Sequence, residues 1–254
     1  MLREIWLVFR RDLTVSMRIP AWIFIGIMQP MLYLVLFGPL LEPLVANTPG
    51  FPPGNAWAIL TPALVVQMAL FGMFAGFGIL AELRTGALER MRVTPVRRIA
   101  LLLGKVANYA LQLLVQSLII LVLALVAFDL SAPFWGVVLA LIIALLMGIT
   151  LASAGYATAL LLKSEEAFIP LLNTILLPVL LLSGILIPIT SGLAPDWLYT
   201  ISQINPFRHI VDADRSAFRG DYTMDGLLTG SIVLLIMAVL AVWWGARTFA
   251  RENA

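Results

Sequence analysis

"FWGVVLALIIALLMGITLASAGYATALLL", residues 134–162, contains no charged side chain. About 20 apolar residues in a helix cross the hydrocarbon core of a bilayer, so this run predicts a membrane-spanning helix. The composition extends that reading to the whole chain, because hydrophobic residues make up 61% and charged residues 12% of its 254 residues. Soluble domains are about 45–50% apolar and about 25% charged. The apolar runs are uniform rather than alternating, which excludes a membrane β-barrel. We therefore predict an all-α integral membrane protein.

Six runs exceed the length that marks a membrane-crossing helix. They fall at about 20–41, 56–80, 99–127, 134–162, 167–189 and 227–249. The first run follows four arginines, but it is longer than the apolar region of a signal peptide, so we interpret it as a retained span. We expect one transmembrane domain over residues 1–254.

The distribution of positive charge predicts the orientation of the spans. With the N-terminus inside, 13 of the 16 Lys and Arg residues lie at the cytoplasmic side. Cytoplasmic loops of membrane proteins carry such an excess of Lys and Arg. Both termini are therefore expected in the cytoplasm.

Residues 1–18 have the spacing of an amphipathic helix that lies in the membrane interface. Trp6 belongs to its apolar face, whereas Arg10 and Arg11 lie off that face. The apolar face comprises Leu2, Ile5, Trp6, Phe9, Leu13 and Met17. Two roles remain open at this point: a membrane anchor, and a lateral support for a cytoplasmic partner.

The segment 190–226 predicts two further helices within residues 195–220. Trp197 lies in the first helix, and Asn205 with Pro206 has the form of an N-cap followed by the first position of the second helix. Arg208 and Asp212 are spaced for an ion pair on the polar side of that helix. Either these helices form a re-entrant hairpin in the outer leaflet, or they lie flat on the membrane.

The side chains needed for most membrane chemistry are missing from the sequence. There is no cysteine and only one histidine, His209, so neither a metal site nor a Ser–His nucleophile pair has the residues it needs. No catalytic or metal-binding residue is predicted, although a self-contained intramembrane enzyme or channel remains the alternative from a different class. The only Gly-Lys pair, Gly104-Lys105, lacks the glycine-rich loop that precedes it in a P-loop. ATP hydrolysis would require a separate chain.

A few neutral polar side chains lie inside the predicted spans. Asn108, Gln112 and Gln116 recur every fourth residue and form a stripe along the third span. With Gln67 and Asn173 they are candidates to line a translocation route. Hydrogen bonding between helices explains the same stripe, and the residues alone leave both readings open.

"ELRTGALERMRVTPVRR", residues 82–98, carries the densest charge between two spans. The segment predicts an amphipathic helix over 82–93, in which Gly86 would allow another backbone to approach closely. Thr94-Pro95 then has the form of an N-cap and first helical position, so the next helix starts there. A segment that only anchors the chain to the membrane surface by its positive charge needs none of these features. Eight residues are the candidate contacts to a partner: Glu82, Arg84, Gly86, Glu89, Arg90, Arg92, Thr94 and Pro95.

This segment, followed by Gly104-Lys105, resembles the coupling segment of ABC-2 type permeases, the membrane subunits of ATP-binding-cassette exporters. The stretches at 181–189 and 204–218 are similar to the family's fifth span and re-entrant helices, and the six-span layout agrees. Within the family the chain looks most like the daunorubicin-resistance group of drug exporters.

The resemblance implies a transport subunit rather than an enzyme, in a bacterial or archaeal plasma membrane. Two ATPase subunits would hold ATP and magnesium, and this chain would bind no cofactor itself. The helices at 1–18 and 82–93 would dock on the ATPases, and Trp197, Asn205, Pro206, Arg208 and Asp212 would shape an outer gate.

A second permease copy, identical or related, would complete the route. A hydrophobic or amphipathic substrate, such as a drug, antibiotic or lipid-like molecule, is expected, with a lipid-linked glycan or polysaccharide as the alternative. No nucleic acid is expected as a partner.

Overall fold

The computed structural model describes residues 1–18, 21–49, 51, 55–92, 96–128, 130, 132–222 and 224–251. Within the helices, the side chains at positions 22, 23, 89, 91, 92, 224 and 225 are outside this description. The described part is helical and contains no strand. The all-α prediction is confirmed for these residues.

Twelve α-helices make up the described chain. They are α1 (Leu2–Met17), α2 (Ala21–Leu32), α3 (Gly38–Asn47), α4 (Ala56–Leu70), α5 (Gly76–Arg84), α6 (Ala87–Arg92), α7 (Arg98–Ala127), α8 (Phe134–Leu162), α9 (Glu165–Leu182), α10 (Asp196–Ile204), α11 (Pro206–Arg219) and α12 (Met224–Arg251). A π-helical turn, Tyr33–Phe37, joins α2 to α3, and a 3₁₀ turn, Phe71–Ala75, joins α4 to α5.

Six helical stretches of the described chain are long and apolar enough to cross a membrane, as predicted. They are Phe24–Asn47, Ala56–Arg84, Arg98–Ala127, Phe134–Leu162, Glu165–Leu182 and Gly226–Arg251. The protein is therefore a multi-pass membrane protein.

Two predicted span ends were wrong. The first span continues to Asn47 rather than ending at 41, because Glu42 is accommodated within the helix and accepts the N–H of Ala56 at 2.9 Å, at the start of α4. The fifth span ends at Leu182 rather than 189. Gly184 there takes a φ of +71°, in the left-handed region that terminates helices.

Helix α8 forms the centre of the bundle. It packs against α4, α5, α7, α11 and α12, and about half of its most apolar window is buried. Gly155 lies against the backbone of Met73, and a β-carbon there would collide with the Met73 carbonyl. Without a hydrophobic drive between helices in lipid, close approach over small residues supplies much of the packing energy. The 3₁₀ turn and α5 are thereby held against the last turns of α8.

The two ends of the bundle carry different elements. At one end α1 packs against the first turns of α7, close to α5 and α6; we call this the α1 end. At the opposite end α11 packs against α4, α8 and α12, near the beginnings of these helices; we call this the α11 end.

Candidate functional site: the charged cluster of the α1 end and the buried helix α11

Helix α1 is packed tightly on α7 through a glycine. A β-carbon on Gly104 would lie 2.7 Å from Val8 Cβ and 3.0 Å from the Ile5 carbonyl oxygen, so only glycine allows this approach. Val8 is correspondingly buried. On the predicted apolar face, Trp6 and Met17 are exposed.

A cluster of four charged side chains connects α1, α5 and α7. Lys105 Nζ lies 2.8 Å from Glu82 Oε2, and it donates a hydrogen bond of 3.2 Å to Asp12 Oδ2. Arg11 Nη1 donates to Glu82 Oε1 and to Asp12 Oδ1, each at 2.9 Å. Glu82 therefore pairs with one cation from α1 and one from α7. We call these four residues the charged cluster.

Three of the four cluster side chains are buried or half-buried, whereas Arg11 is exposed. Lys105 is 4% exposed. A buried ammonium is stable only when it is paired and hydrogen-bonded, which explains why two carboxylates converge on it. Burial by itself lowers the pKa of Arg11, but the hydrogen bond and charge of Glu82 and the charge of Asp12 outweigh it, and the pKa is raised. Arg11 is thus held in its charged form.

A second contact joins the beginning of α1 to the beginning of α7. The Arg97 backbone N–H donates to Glu4 Oε2 at 2.9 Å, and the N-terminal ammonium lies 3.0 Å from Glu4 Oε1. The hydrogen bond from the Arg97 backbone, followed by that from the N-terminus, lowers the pKa of Glu4. On the other side of the α7 start, Arg98 Nη1 donates to the Ala250 carbonyl of α12 at 2.6 Å. The first turn of α7 is therefore fixed by α1 and α12 together.

The prediction of one helix over 82–93 was wrong. Glu82 and Arg84 belong to the last turn of α5, and a turn at Thr85 and Gly86 separates them from α6. Gly86 has a φ of +65°, in the left-handed region that favours glycine, so the turn itself accounts for a glycine at this position. Arg90 Nη2 donates to the Thr85 carbonyl at 3.1 Å across this turn.

The remaining predicted contact residues are placed only in part. Arg84 Nη1 lies 3.2 Å from Glu165 Oε2, which connects α5 to the start of α9. Glu89 and Arg92 lie on α6, but their side chains are outside the described residues, as are Thr94 and Pro95 altogether. The docking role of these residues stays a prediction.

At the α11 end, the sequence-predicted caps are present. Asn205 accepts the Phe207 N–H at 3.0 Å as the N-cap of α11, Pro206 occupies the first turn, and Gly220 ends the helix with a φ of +74°. Asn205 Nδ2 also donates to the Val179 carbonyl at 3.2 Å, which attaches the α10–α11 junction to α9. The two predicted helices are confirmed, and Trp197 lies exposed on α10.

Two arginines of the polar side of α11, Arg208 and Arg215, are buried in protein, contrary to the amphipathic pattern. Arg208 stacks on the Tyr199 ring, bonds Ser202, and lies 3.6 Å from Asp212, which is exposed. Arg215 is 2% exposed; it donates to the Ile59 carbonyl at 3.1 Å and to the carbonyls of Gly184 and Ile185 at 2.8 and 3.1 Å.

Arg215 therefore joins α11, α4 and the loop that follows α9. Its planar guanidinium reaches acceptors on separate segments, which a lysine ammonium does not match.

Asp214 is the other buried charge of α11. It is fully buried, and neither carboxylate oxygen has a hydrogen-bond partner among the described residues. Burial raises the pKa of Asp214 well above its ordinary value, and the neighbouring Arg215 charge opposes this only in part.

Comparison with known proteins identifies the family. Residues 3–218 match the family described as ABC-2 type transporter, which is most of the chain. The chain belongs to this family. It is 25% identical over 173 residues to the probable multidrug ABC transporter permease YbhR of Escherichia coli strain K12, and this alignment covers 66% of the chain and 45% of YbhR. It is 24% identical over 216 residues to the putative transport permease ycf38 of Cyanophora paradoxa, covering 84% of the chain and 73% of ycf38. The chain spans about half the length of YbhR.

Membership makes this chain a membrane component of the ABC-2 transporter type, which we call the permease. The finer likeness to the daunorubicin-resistance group stays a prediction. The Gly104-Lys105 pair of the resemblance now has a physical role in the permease. Gly104 admits α1, and Lys105 pairs with Glu82 and Asp12.

The predicted polar stripe of the permease turns toward other helices. Asn108 and Gln112 donate to Ser16 Oγ of α1 at 3.3 and 2.9 Å. These are hydrogen bonds between helices, the alternative explanation of the stripe. Gln116 packs against Gly26 of α2. Gln67 is fully buried in α4, and Asn173 is exposed on α9. A lining role for these residues stays a prediction.

Sequence reasoning missed four charged residues of the permease. Asp12 and Lys105 of the cluster, and Asp214 and Arg215 of α11, were not selected as site residues. A signal existed for Asp12, which lies four residues from Val8 and from Ser16 on one face of α1. No local signal marks Asp214, because its burial results from the packing of α11 against α4, α8 and α12.

Proposed function

We propose that this permease is the membrane subunit of an ATP-driven exporter, which moves a hydrophobic or amphipathic molecule out of the cytoplasm or the inner leaflet. The charged cluster carries this proposal. It joins the end of α5, directly before the α6 turn, to α1 and to the first turns of α7. A force applied at α6 would therefore act on two spans and on α1 at once.

The partners that this mechanism needs are two cytoplasmic ATPase subunits, which hold ATP and magnesium. The excess of Lys and Arg at the α1 end favours a cytoplasmic position for that end and for both termini. Arg90 is exposed on α6, and a cleft lies between the end of α5, at Arg84, and the Lys163–Glu166 turn. Helix α6 and this cleft form the surface that we expect an ATPase to engage. A bacterial or archaeal plasma membrane fits this arrangement.

A second permease copy, identical or related, would complete the translocation route. Helix α9 buries only one stripe, which comprises Phe168, Leu172 and Leu176. Asn173 lies on its exposed side among apolar residues, where an amide facing lipid would be unfavourable. A partner subunit or a substrate path over this side of α9 would give Asn173 a polar neighbour.

Helices α10 and α11 are proposed to close the outer end of the route. Arg208 and Arg215 hold α11 against α10, α4 and the loop after α9, so the helix would move as a unit with the spans around it. Asn205 and Pro206 fix the junction between the two helices. A re-entrant position in the outer leaflet is consistent with backbone polar groups that are satisfied inside protein.

The coupling proposal is tested with Glu89→Lys in the full-length permease, reconstituted with the ATPase that co-purifies with it. We expect insertion to be normal and drug-stimulated ATP hydrolysis to fall by at least tenfold. Asp196→Lys makes the same charge change at an exposed position of α10, away from the proposed docking surface, and is the matched control. Full stimulation in Glu89→Lys would contradict docking at α6.

The substrate class is tested separately with the same reconstituted complex. Lipophilic drugs are compared with a lipid-linked glycan as stimulants of ATP hydrolysis. Stimulation by the drugs supports a multidrug-type role, which is what the name of YbhR states for that relative. Stimulation by the glycan alone would overturn the proposed substrate class while leaving the coupling mechanism intact.

A further inference from the structure

Helix α1 presents three different surfaces around its axis. One side faces α7 and α5 and carries acidic and small residues, namely Glu4, Val8, Asp12 and Ser16. A second side is exposed and apolar, and comprises Leu2, Trp6 and Met17. The third side is exposed and basic, with Arg3, Arg10 and Arg18. The three sides follow one another around the helix, since residues three, four or seven apart share a side.

The acidic residues of α1 bind other parts of the permease, whereas three of its basic residues face outward. Both carboxylates of the helix are used inside the permease, Glu4 by the Arg97 backbone and Asp12 by Lys105. The side chains of Arg3, Arg10 and Arg18 make no hydrogen bond or ion pair within the described part of the chain. Their charge is therefore available to a ligand outside the permease.

The basic side also forms a shallow groove that is open to solvent. The groove has a volume of about 380 Å³ and runs between side chains of α1 alone, namely Leu7, Arg10, Arg11, Thr14, Val15 and Arg18. Arginine guanidinium groups match phosphate oxygens in a bidentate geometry, and the Thr14 hydroxyl adds a further polar group. Leu7 and Val15 are both more than half exposed, which supplies apolar surface beside the cations.

The position of the groove indicates which phosphate it meets. Arg18 is separated from the start of α2 by two residues, so the groove lies at the level where the first span leaves the membrane. The adjoining apolar side has Trp6 59% and Met17 71% exposed, which suits the boundary between headgroups and acyl chains. A phospholipid can contact the basic side with its headgroup and the apolar side with its acyl chains. A soluble phosphate ligand would leave the apolar side exposed to water.

We propose that the groove formed by Leu7, Arg10, Arg11, Thr14, Val15 and Arg18 binds the phosphate headgroup of an anionic phospholipid, whose acyl chains cover the apolar side of α1. The lipid then fixes the outward side of α1 while the charged cluster fixes its inward side. The orientation of the coupling region would depend on anionic lipid.

Binding is measured on the purified full-length permease in detergent by native mass spectrometry, with phosphatidylglycerol titrated against phosphatidylcholine. Because no ATPase is present, the result is independent of the proposed coupling mechanism. We expect a preference for phosphatidylglycerol in the wild type. Each arginine near a membrane surface contributes on the order of fivefold to binding of anionic lipid, so Arg10→Gln/Arg18→Gln should weaken it about 25-fold.

Three comparisons make the test decisive. Arg247→Gln/Arg251→Gln removes two exposed positive charges from α12 and should retain wild-type binding. Arg10→Lys/Arg18→Lys keeps the charge but loses the bidentate geometry, so intermediate binding is expected. Inorganic phosphate at millimolar concentration should not displace the lipid, because it lacks the acyl chains.

Specific outcomes would overturn the proposal. Equal binding of the two lipids by the wild type, or equal loss in the α12 control, would show that the groove is not a headgroup site. Unchanged phosphatidylglycerol binding in Arg10→Gln/Arg18→Gln, together with weaker capture of the ATPase, would assign the basic side to protein docking instead. Gel filtration of each variant confirms that the fold is retained.

Discussion

Lys105 Nζ lies 2.8 Å from Glu82 Oε2, although the two residues belong to different spans. Asp12 and Arg11 of α1 complete the arrangement, so two carboxylates and two cations neutralise one another at the α1 end. The same two residues are part of the sequence pattern by which the chain resembles ABC-2 permeases. Their proximity explains why Glu82 and the Gly104-Lys105 pair, which are separated in sequence, both belong to the charged cluster.

Glu82→Gln should destabilise the permease and impair coupling. Lys105 keeps Asp12 but loses its closest anion, and a buried charge that loses a partner costs roughly 2–4 kcal/mol. Thermal unfolding in detergent measures the effect on stability. In Glu82→Gln/Lys105→Met neither charge remains, and stability should return toward that of the wild type. Strictly additive losses in this double-mutant cycle would show that the pair does not interact.

Gly104→Val should displace α1 from α7, because the added atoms meet Val8 and the Ile5 carbonyl. The chain has no cysteine, so the pair Ser16→Cys/Gln112→Cys reports the α1–α7 contact through a short bifunctional thiol-reactive cross-linker, which replaces the reach of the glutamine side chain. We expect high cross-linking in the Gly104 background and little in Gly104→Val. Gly78→Val is the matched control, since a β-carbon on Gly78 meets nothing within 4 Å. Equal cross-linking in both valine variants would contradict the packing role of Gly104.

The sequence predicted the features that depend on local pattern. Six spans follow from apolar length, and the α11 caps follow from Asn205, Pro206 and Gly220. The helix predicted over 82–93 failed because Gly86 is compatible with a helix, and only its φ of +65° shows a turn. The burial of Arg215 and Asp214 was not predictable, because it depends on carbonyls and helices far away in sequence.

Arg215→Lys should destabilise the α11 end, even though the charge is kept. A lysine reaches one of the Ile59, Gly184 and Ile185 carbonyls at most, and each lost charged hydrogen bond costs about 1.5–3 kcal/mol. Thermal unfolding in detergent and protease cleavage between residues 185 and 195 report the change. Arg219→Lys on the same helix is the control and should have little effect. Wild-type stability in Arg215→Lys would show that simultaneous hydrogen bonds from the guanidinium to several carbonyls are unimportant for stability.

Trp197 measures the depth of the α10–α11 hairpin. In Trp197→Cys, labelled with an environment-sensitive fluorophore, a re-entrant position predicts quenching by spin-labelled lipid and shielding from aqueous iodide. A label on Asp221→Cys, at an exposed position beyond α11, is the aqueous reference. Strong iodide quenching at position 197, equal to that at 221, would favour helices that lie flat on the membrane.

Asp214 should make stability depend on pH. Burial raises the pKa of its carboxyl above the ordinary value of 3.8, so the folded state favours the protonated form. Its contribution to stability is complete below about pH 4 and is lost as the pH rises through the folded pKa. Asp214→Asn removes this titration. The unfolding temperature of the variant should therefore rise relative to wild type as the pH increases from 4 to 8, measured in the same detergent. Asp212→Asn removes an exposed carboxylate from the same helix, and its curve should stay parallel to that of the wild type over this range. Parallel curves for Asp214→Asn and wild type would instead mean that the buried carboxyl keeps one protonation state throughout.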